Sequence, residues 1–179
     1  MIMARRVIVG ACPTPGSIRA LRYARELAVR GDATLVVVHA WTPPGGDMAD
    51  RRSPSPFLRQ VWQQAAWQRI RDCVATAFGG MPADVETRLV VARGVTGEIL
   101  VDLAGGSDDL LVLGAGRRGL LARLGHGRVT RYCLAHAACP VLAVPPASLA
   151  RIAGHGLHGA FRHGLHLGKL TRELDGKTA

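Results

Sequence analysis

The chain has 179 residues, of which 48% are hydrophobic and only 4% aromatic, and a formal net charge of +10. That length fits one domain plus an appendage, and a core filled by Val, Leu and Ala suits a parallel sheet covered on both faces. No apolar run approaches the roughly 18 residues of a membrane span, which excludes a helical membrane protein. Nearly all the basic residues are Arg and no run of five occurs, so the charge is expected to sit on solvated faces.

Arg6 to Ala11 reads as a short buried strand ended by Gly10 and Pro13. Ser17 is the expected N-cap of a helix carrying Ile18, Leu21, Ala24 and Leu27 at helical spacing up to Gly31. Thr34 to Trp41 is a second strand, too apolar for a wet face, which closes a right-handed βαβ unit. Thr42 to Pro56, with its Pro and Gly clusters, is expected to be a mobile loop. From Phe57 to Phe78 there is no Gly or Pro. Leu58, Val61, Trp62, Ala65, Ala66, Ile70, Val74 and Ala77 suggest one apolar stripe on a long helix ended by Gly79.

Val85 to Ala92 alternates, as a strand at a sheet edge does. Gly94 to Ala104 is a short helix with Thr96 as N-cap, and Asp108 to Gly114 a fourth strand. A Gly- and Arg-rich loop leads to a helix from Arg128 to His136, and Cys139 to Pro145 is the last strand. The alternation predicts an α/β fold with a parallel sheet and helices on both faces. Ligands of such sheets sit beyond the carboxyl ends of the strands. The domain is expected over residues 1–147. Residues 148–179 form a basic, His- and Gly-rich tail.

Three stretches carry a family resemblance. They are Val7-Ile8-Val9-Gly10 followed by Ala20-Leu21, Gly94-x-x-x-Glu98-Ile99-Leu100, and Leu111 to Val144 with its ending His136-Ala-Ala-Cys-Pro-Val-Leu-Ala-Val144. Over about residues 5 to 146 the chain resembles universal stress protein domains. The resemblance implies a five-stranded Rossmann-like sheet of order 3-2-1-4-5, a stress-response role in the cytoplasm, and a homodimer. The dimer edge would be the last strand, Val141, Leu142, Ala143 and Val144. It also implies a division into ATP binders and non-binders. Binders carry G-x-x-G-x9-G-[ST] after strand four and an Asp after strand one that holds the ribose.

Phosphates need backbone N–H groups unobstructed by Cβ atoms, aimed from a helix N-terminus. Gly114 and Gly127 stand thirteen apart, as the first and last glycines of the motif do, but Arg117 takes the fourth position, with Gly116 one residue early. Arg128 replaces the hydroxyl residue and Cys12 the acidic one. Arginine offers phosphate a bidentate fork, so the substitutions can supply the missing donors. The expected nucleotide site comprises Gly10, Ala11, Cys12, Ala40, Leu113, Gly114, Gly116, Arg117, Gly127, Arg128 and Val129, with ATP and Mg as the possible cofactor. The alternative is an interaction protein of the same fold that engages another protein without a nucleotide.

Other features point to less. His39 is read as a core histidine bonded to a neighbouring strand end, and Cys12 as a small apolar filler. No Cys-x-x-Cys occurs among Cys12, Cys73, Cys133 and Cys139, and Met1 to Arg6 runs straight into a strand, so reduced cytoplasmic thiols are expected. His155 with His158, and His163 with His166, are spaced to share a helical face, but a flexible basic tail is favoured over a metal site. No catalytic motif occurs, which leaves a weak ATPase at most. Nucleic acid is disfavoured for want of stacking aromatics and a recognised motif.

Overall fold

A computed structural model describes residues 4–115 and 128–145. The elements in chain order are β1 (Arg6–Gly10), α1 (Pro15–Arg30), β2 (Thr34–Trp41), α2 (Gly46–Arg52), α3 (Pro56–Phe78), β3 (Thr87–Arg93), α4 (Thr96–Leu103), β4 (Asp109–Gly114), α5 (Arg128–His136) and β5 (Val141–Val144). The five strands form one parallel sheet of order β3-β2-β1-β4-β5, as expected.

Strand alternation divides the core into two layers. Val7, Val9, Leu35 and Val37 face α1 and α3, meeting Leu21, Ala24, Ile70 and Val74. Ile8, Val36, Val38, Leu111 and Leu113 face the other way, onto Leu100, Ala104 and Cys133. Small alanines at Ala20, Ala24 and Ala28 let α1 approach the sheet closely, and each is fully buried. At the amino ends of the strands, Arg6 grips the buried Asp109 through Nε and Nη2 at 2.8 and 2.7 Å, and the Gly106 N–H donates to the same carboxylate. Burial alone would raise the Asp109 carboxyl, but the bonds from Arg6 and Gly106 hold it below its ordinary value.

Several elements differ from the sequence reading. Thr14, not Ser17, caps α1, because Pro15 suits the first helical position, where no N–H is needed. α4 begins after Val95, which gives no side-chain cap. The stretch read as a loop contains α2, whose Asp47 lies in the first turn and Arg51 and Arg52 in the last, complementing its dipole. It buries almost no apolar surface. Ion pairs hold it instead: the buried Asp50 meets Arg59 at 3.2 Å and Arg93 at 2.9 Å, and Arg93 meets Asp47 at 2.6 Å. The single stripe read on α3 is in fact two. Ala66, Ile70, Cys73, Val74 and Ala77 are buried against the sheet, whereas Phe57, Leu58 and Val61 are exposed. At 3.6 residues per turn the second set is rotated from the first by nearly half a turn, about 160°.

Candidate functional site

The site is built where the central strand β1 and its neighbour β4 end side by side. Val9 pairs with Val112, so Gly10 and Gly114 emerge together at the carboxyl edge. Ala11 extends β1 by donating its N–H to the Val38 carbonyl at 2.7 Å. Ala115 extends β4 in the same way, donating to Val144 at 2.8 Å.

The first turn of α1 is locked onto the end of β1. Ser17 Oγ accepts from the Cys12 N–H and donates to the Gly10 carbonyl, both at 2.9 Å. Thr14 Oγ1 accepts from the Ser17 N–H at 3.3 Å. This turn also touches β4. A Cβ on Gly114 would stand 2.8 Å from the Gly16 carbonyl oxygen, a distance real Cβ atoms do not reach. Glycine is therefore required at 114 by the approach of a second backbone. The start of α5 closes on the same residue, with Thr130 Oγ1 donating to the Gly114 carbonyl at 3.0 Å. Two helix N-termini thus converge on the end of one strand, an arrangement whose aligned peptide dipoles favour an anion.

Among the expected site residues, the structure brings together Gly10, Ala11, Cys12 and Gly114, with Arg128 and Val129 joined to them through Thr130. Ala40 is half-buried two residues past the Gly10–Val38 pairing. Leu113 is buried in the second core layer, so only its backbone can face a ligand. Gly116, Arg117 and Gly127 lie outside the described residues, as do the tail and its histidine pairs. Cys12 is exposed, which corrects the reading of it as an apolar filler: the bond of its N–H to Ser17 holds the residue on the rim rather than in the core. The nearby Cys73 is buried, and its thiol is pushed up first by burial and further by the neighbouring Cys12 and Asp72.

His39 behaves as the sequence suggested, with Nδ1 bonded to the Ala11 carbonyl at 2.9 Å. With Nδ1 the donor, the buried Nε2 is left an acceptor, and among the described residues it has no partner. Gly16 and Thr130 were missed. The Pro15-Gly16 pair signals a tight helix entry, but nothing local reveals that β4 abuts it. Thr130 sits within the first turn of α5, a position where a hydroxyl often finds a backbone group. No catalytic triad or carboxylate pair is assembled among these residues.

Comparison with solved structures finds the same fold repeatedly. One is a universal stress protein in complex with cAMP, 23% identical, covering 80% of this chain and 98% of that one at a TM-score of 0.50. Another is the hypothetical protein MJ0577, 14% identical, covering 82% and 99% at 0.63. A third is the universal stress protein UspA from Lactobacillus plantarum, 21% identical, covering 78% and 96% at 0.53. No curated protein matches the chain. A family model described as the universal stress protein family matches residues 3–145, spanning every described strand and helix. The chain belongs to the universal stress protein family.

Proposed function

We propose that this chain is a stress-response binding module that takes a nucleotide or other phosphorylated ligand at the carboxyl ends of β1 and β4. The observation that carries the reading is the meeting of α1 and α5 on Gly114. It brings the positive ends of two helix dipoles to the end of one strand, which favours a phosphate there. Arg128, exposed at the first position of α5, supports it further. A cation there is unfavourable by about 0.3–1 kcal/mol unless an anion is near, and its guanidinium can fork a phosphate. The related fold solved with cAMP supports an adenine nucleotide as the ligand class. ATP with Mg is the first nucleotide to test, and no more than weak hydrolysis is expected.

Two further parts of the proposal rest on their own observations. β5 is an edge strand whose Val141, Leu142 and Ala143 stay half-buried, which supports a homodimer along that edge. The four cysteines are all unpaired, which supports a reducing compartment such as the cytoplasm. Among the described residues no helix is long and apolar enough to cross a membrane. Cys12 in place of an acidic residue favours the second reading, an interaction protein that uses the same fold without a nucleotide.

The test is nucleotide extraction from freshly purified protein, followed by calorimetric titration with ATP–Mg, AMP, cAMP and pyrophosphate. Binding should weaken about tenfold in Arg128→Ala, the loss of one charge-assisted fork, equivalent to about 1.4 kcal/mol. A chain that releases no nucleotide and gives no heat with any of the four ligands belongs to the second reading.

A further inference from the structure

We propose that the first ten residues of α3, with α2 beside them, form a docking surface for an acidic amphipathic helix of another protein. None of Pro56 to Ala65 is buried, whereas five of the following thirteen residues are. The overhang is about 15 Å of helix at 1.5 Å per residue. Its exposed side chains are nonetheless large and apolar: Phe57 is 71% exposed, Leu58 42% and Val61 41%, with Met48 of α2 at 64%. Phe57 and Val61, like Leu58 and Trp62, stand four residues apart, the spacing at which side chains form one ridge. Phe57, Leu58 and Val61 are turned away from the sheet and exposed, and Trp62 beside them is half-buried.

The overhang is held in place. Ser55 Oγ caps it by accepting from the Leu58 N–H, and Arg59 is drawn to the buried Asp50 on the inner side. Asp50 is held in turn by Arg93 at the end of β3. A fixed helix with a second apolar face cannot fold that face inward, so it stays available to a partner.

Charge selects the occupant. From Arg51 to Arg71 the sequence has five arginines and no carboxylate. Arg51 and Arg52, in the last turn of α2 and six and five residues before Phe57, are exposed and have no ion-pair partner among the described residues. A second copy across a two-fold axis would set these arginines against their own kind. The segments 116–127 and 146–179 of the same chain are also net positive. Of the five, Arg59 is paired with Asp50, and Arg69 and Arg71 lie at least two helical turns beyond Val61. That leaves Arg51 and Arg52, too few for an anionic bilayer, which recruits clusters of about four to eight. An acidic helix with its apolar stripe on the ridge and its carboxylates over Arg51 and Arg52 satisfies both features.

The test uses the full chain and a labelled 18-residue designed helix with leucines along one face and glutamates flanking it. Fluorescence anisotropy should show saturable binding that weakens as salt rises. Val61→Asp, and separately Arg51→Glu with Arg52→Glu, should each weaken it at least tenfold, and a lysine-flanked version of the helix should bind at least tenfold worse. All these side chains are exposed, so the variants keep the fold. The proposal is overturned if the acidic helix does not bind, or binds Val61→Asp equally well. It is equally overturned if Val61→Asp halves the sedimenting mass of the protein alone, which would make the ridge a self-contact. Pelleting with phosphatidylserine vesicles that Val61→Asp abolishes, without peptide binding, would assign the ridge to a lipid surface instead.

Discussion

Gly114 has no room for a side chain, and Gly16, the residue it meets, does. A Cβ on Gly114 would lie 2.8 Å from the Gly16 carbonyl oxygen and 2.9 Å from its carbon, whereas a Cβ on Gly16 meets nothing within 4 Å. Both atoms at 114 are backbone, so neither can swing aside. Gly114→Ala is therefore expected to cost about 1–3 kcal/mol, the range of an overpacked core site, and to abolish ligand binding by pushing β4 off α1. Gly16→Ala should leave the urea midpoint within about 0.5 kcal/mol of the parent. Equal midpoints for the two variants would remove the close approach from the account of the site. Arg6 offers a second single-residue measurement. Arg6→Met keeps the stem but strands the buried Asp109 carboxylate with only the Gly106 N–H, at a cost of about 1–3 kcal/mol. The sign of the pH dependence follows. Asp109 titrates below its ordinary value when folded, so its pairing stabilises above the ordinary carboxylate range near pH 4 and is lost as pH falls through the lowered value. Arg6→Met should flatten that acid limb of the stability curve, as followed by urea unfolding from pH 7 to pH 3. At this scale the sequence was informative where chemistry is local. His39, expected to bond a strand end, does so. It was uninformative where two distant backbones meet, and Gly16 and Thr130 show no sign of their roles until β4 is placed.

At the scale of elements, strand and helix kinds were legible because β-branched runs and helical spacing are strong local signals. β3 shows this best, since its alternation predicted the edge position it holds. α2 was not legible. A seven-residue helix between Pro44 and Pro54 has no apolar period to detect, because ion pairs rather than burial hold it. The carboxylate of Asp50 at its heart would be raised by burial, yet bonds from Arg93 and Arg59 hold it below the ordinary value. That pairing stabilises α2 at neutral pH and disappears as pH falls through the lowered value, below about pH 4. Asp50→Asn should mimic the acid state at pH 7. Trypsin would then cleave after Arg51 or Arg52 several-fold faster, while the global urea midpoint barely moves, since local opening need not unfold the sheet. The near-ultraviolet signal of Trp41, which Arg93 overlies at 6.0 Å, should change in the same variant. Unchanged cleavage kinetics would show that α2 is held by something other than Asp50. α3 misled the sequence reading for a different reason. Its apolar residues recur closely enough to look like one stripe, yet Leu58 and Val61 sit on the face opposite Ile70 and Val74.

At the scale of the whole molecule, the order 3-2-1-4-5 places β1 at the centre with β4 beside it and, among the described residues, leaves β5 with one unpaired side. Which groups face outward follows from the ladder. Leu111 donates its N–H to the Pro140 carbonyl and Ala115 donates to Val144, so the alternate residues, Val141 and Ala143, turn their backbone N–H and C=O groups away from β4. An unpaired apolar edge of this kind invites a second strand, and the proposed homodimer would satisfy it. Proline at an outward position removes a donor that the chain itself does not use. Ala143→Pro is therefore expected to fold with the parent's circular dichroism and a urea midpoint within about 1 kcal/mol, yet to sediment at the mass of one chain where the parent sediments at twice that mass. Leu142→Pro is the matched control. Its N–H points into the ladder, so it should destabilise the chain by about 3 kcal/mol, because it breaks a native bond. A parent that sediments as a single chain would remove the homodimer, and an Ala143→Pro variant that stays a dimer would move the association to another surface. The exposed ridge on α3 is then the next to probe, although its arginines oppose a self-contact.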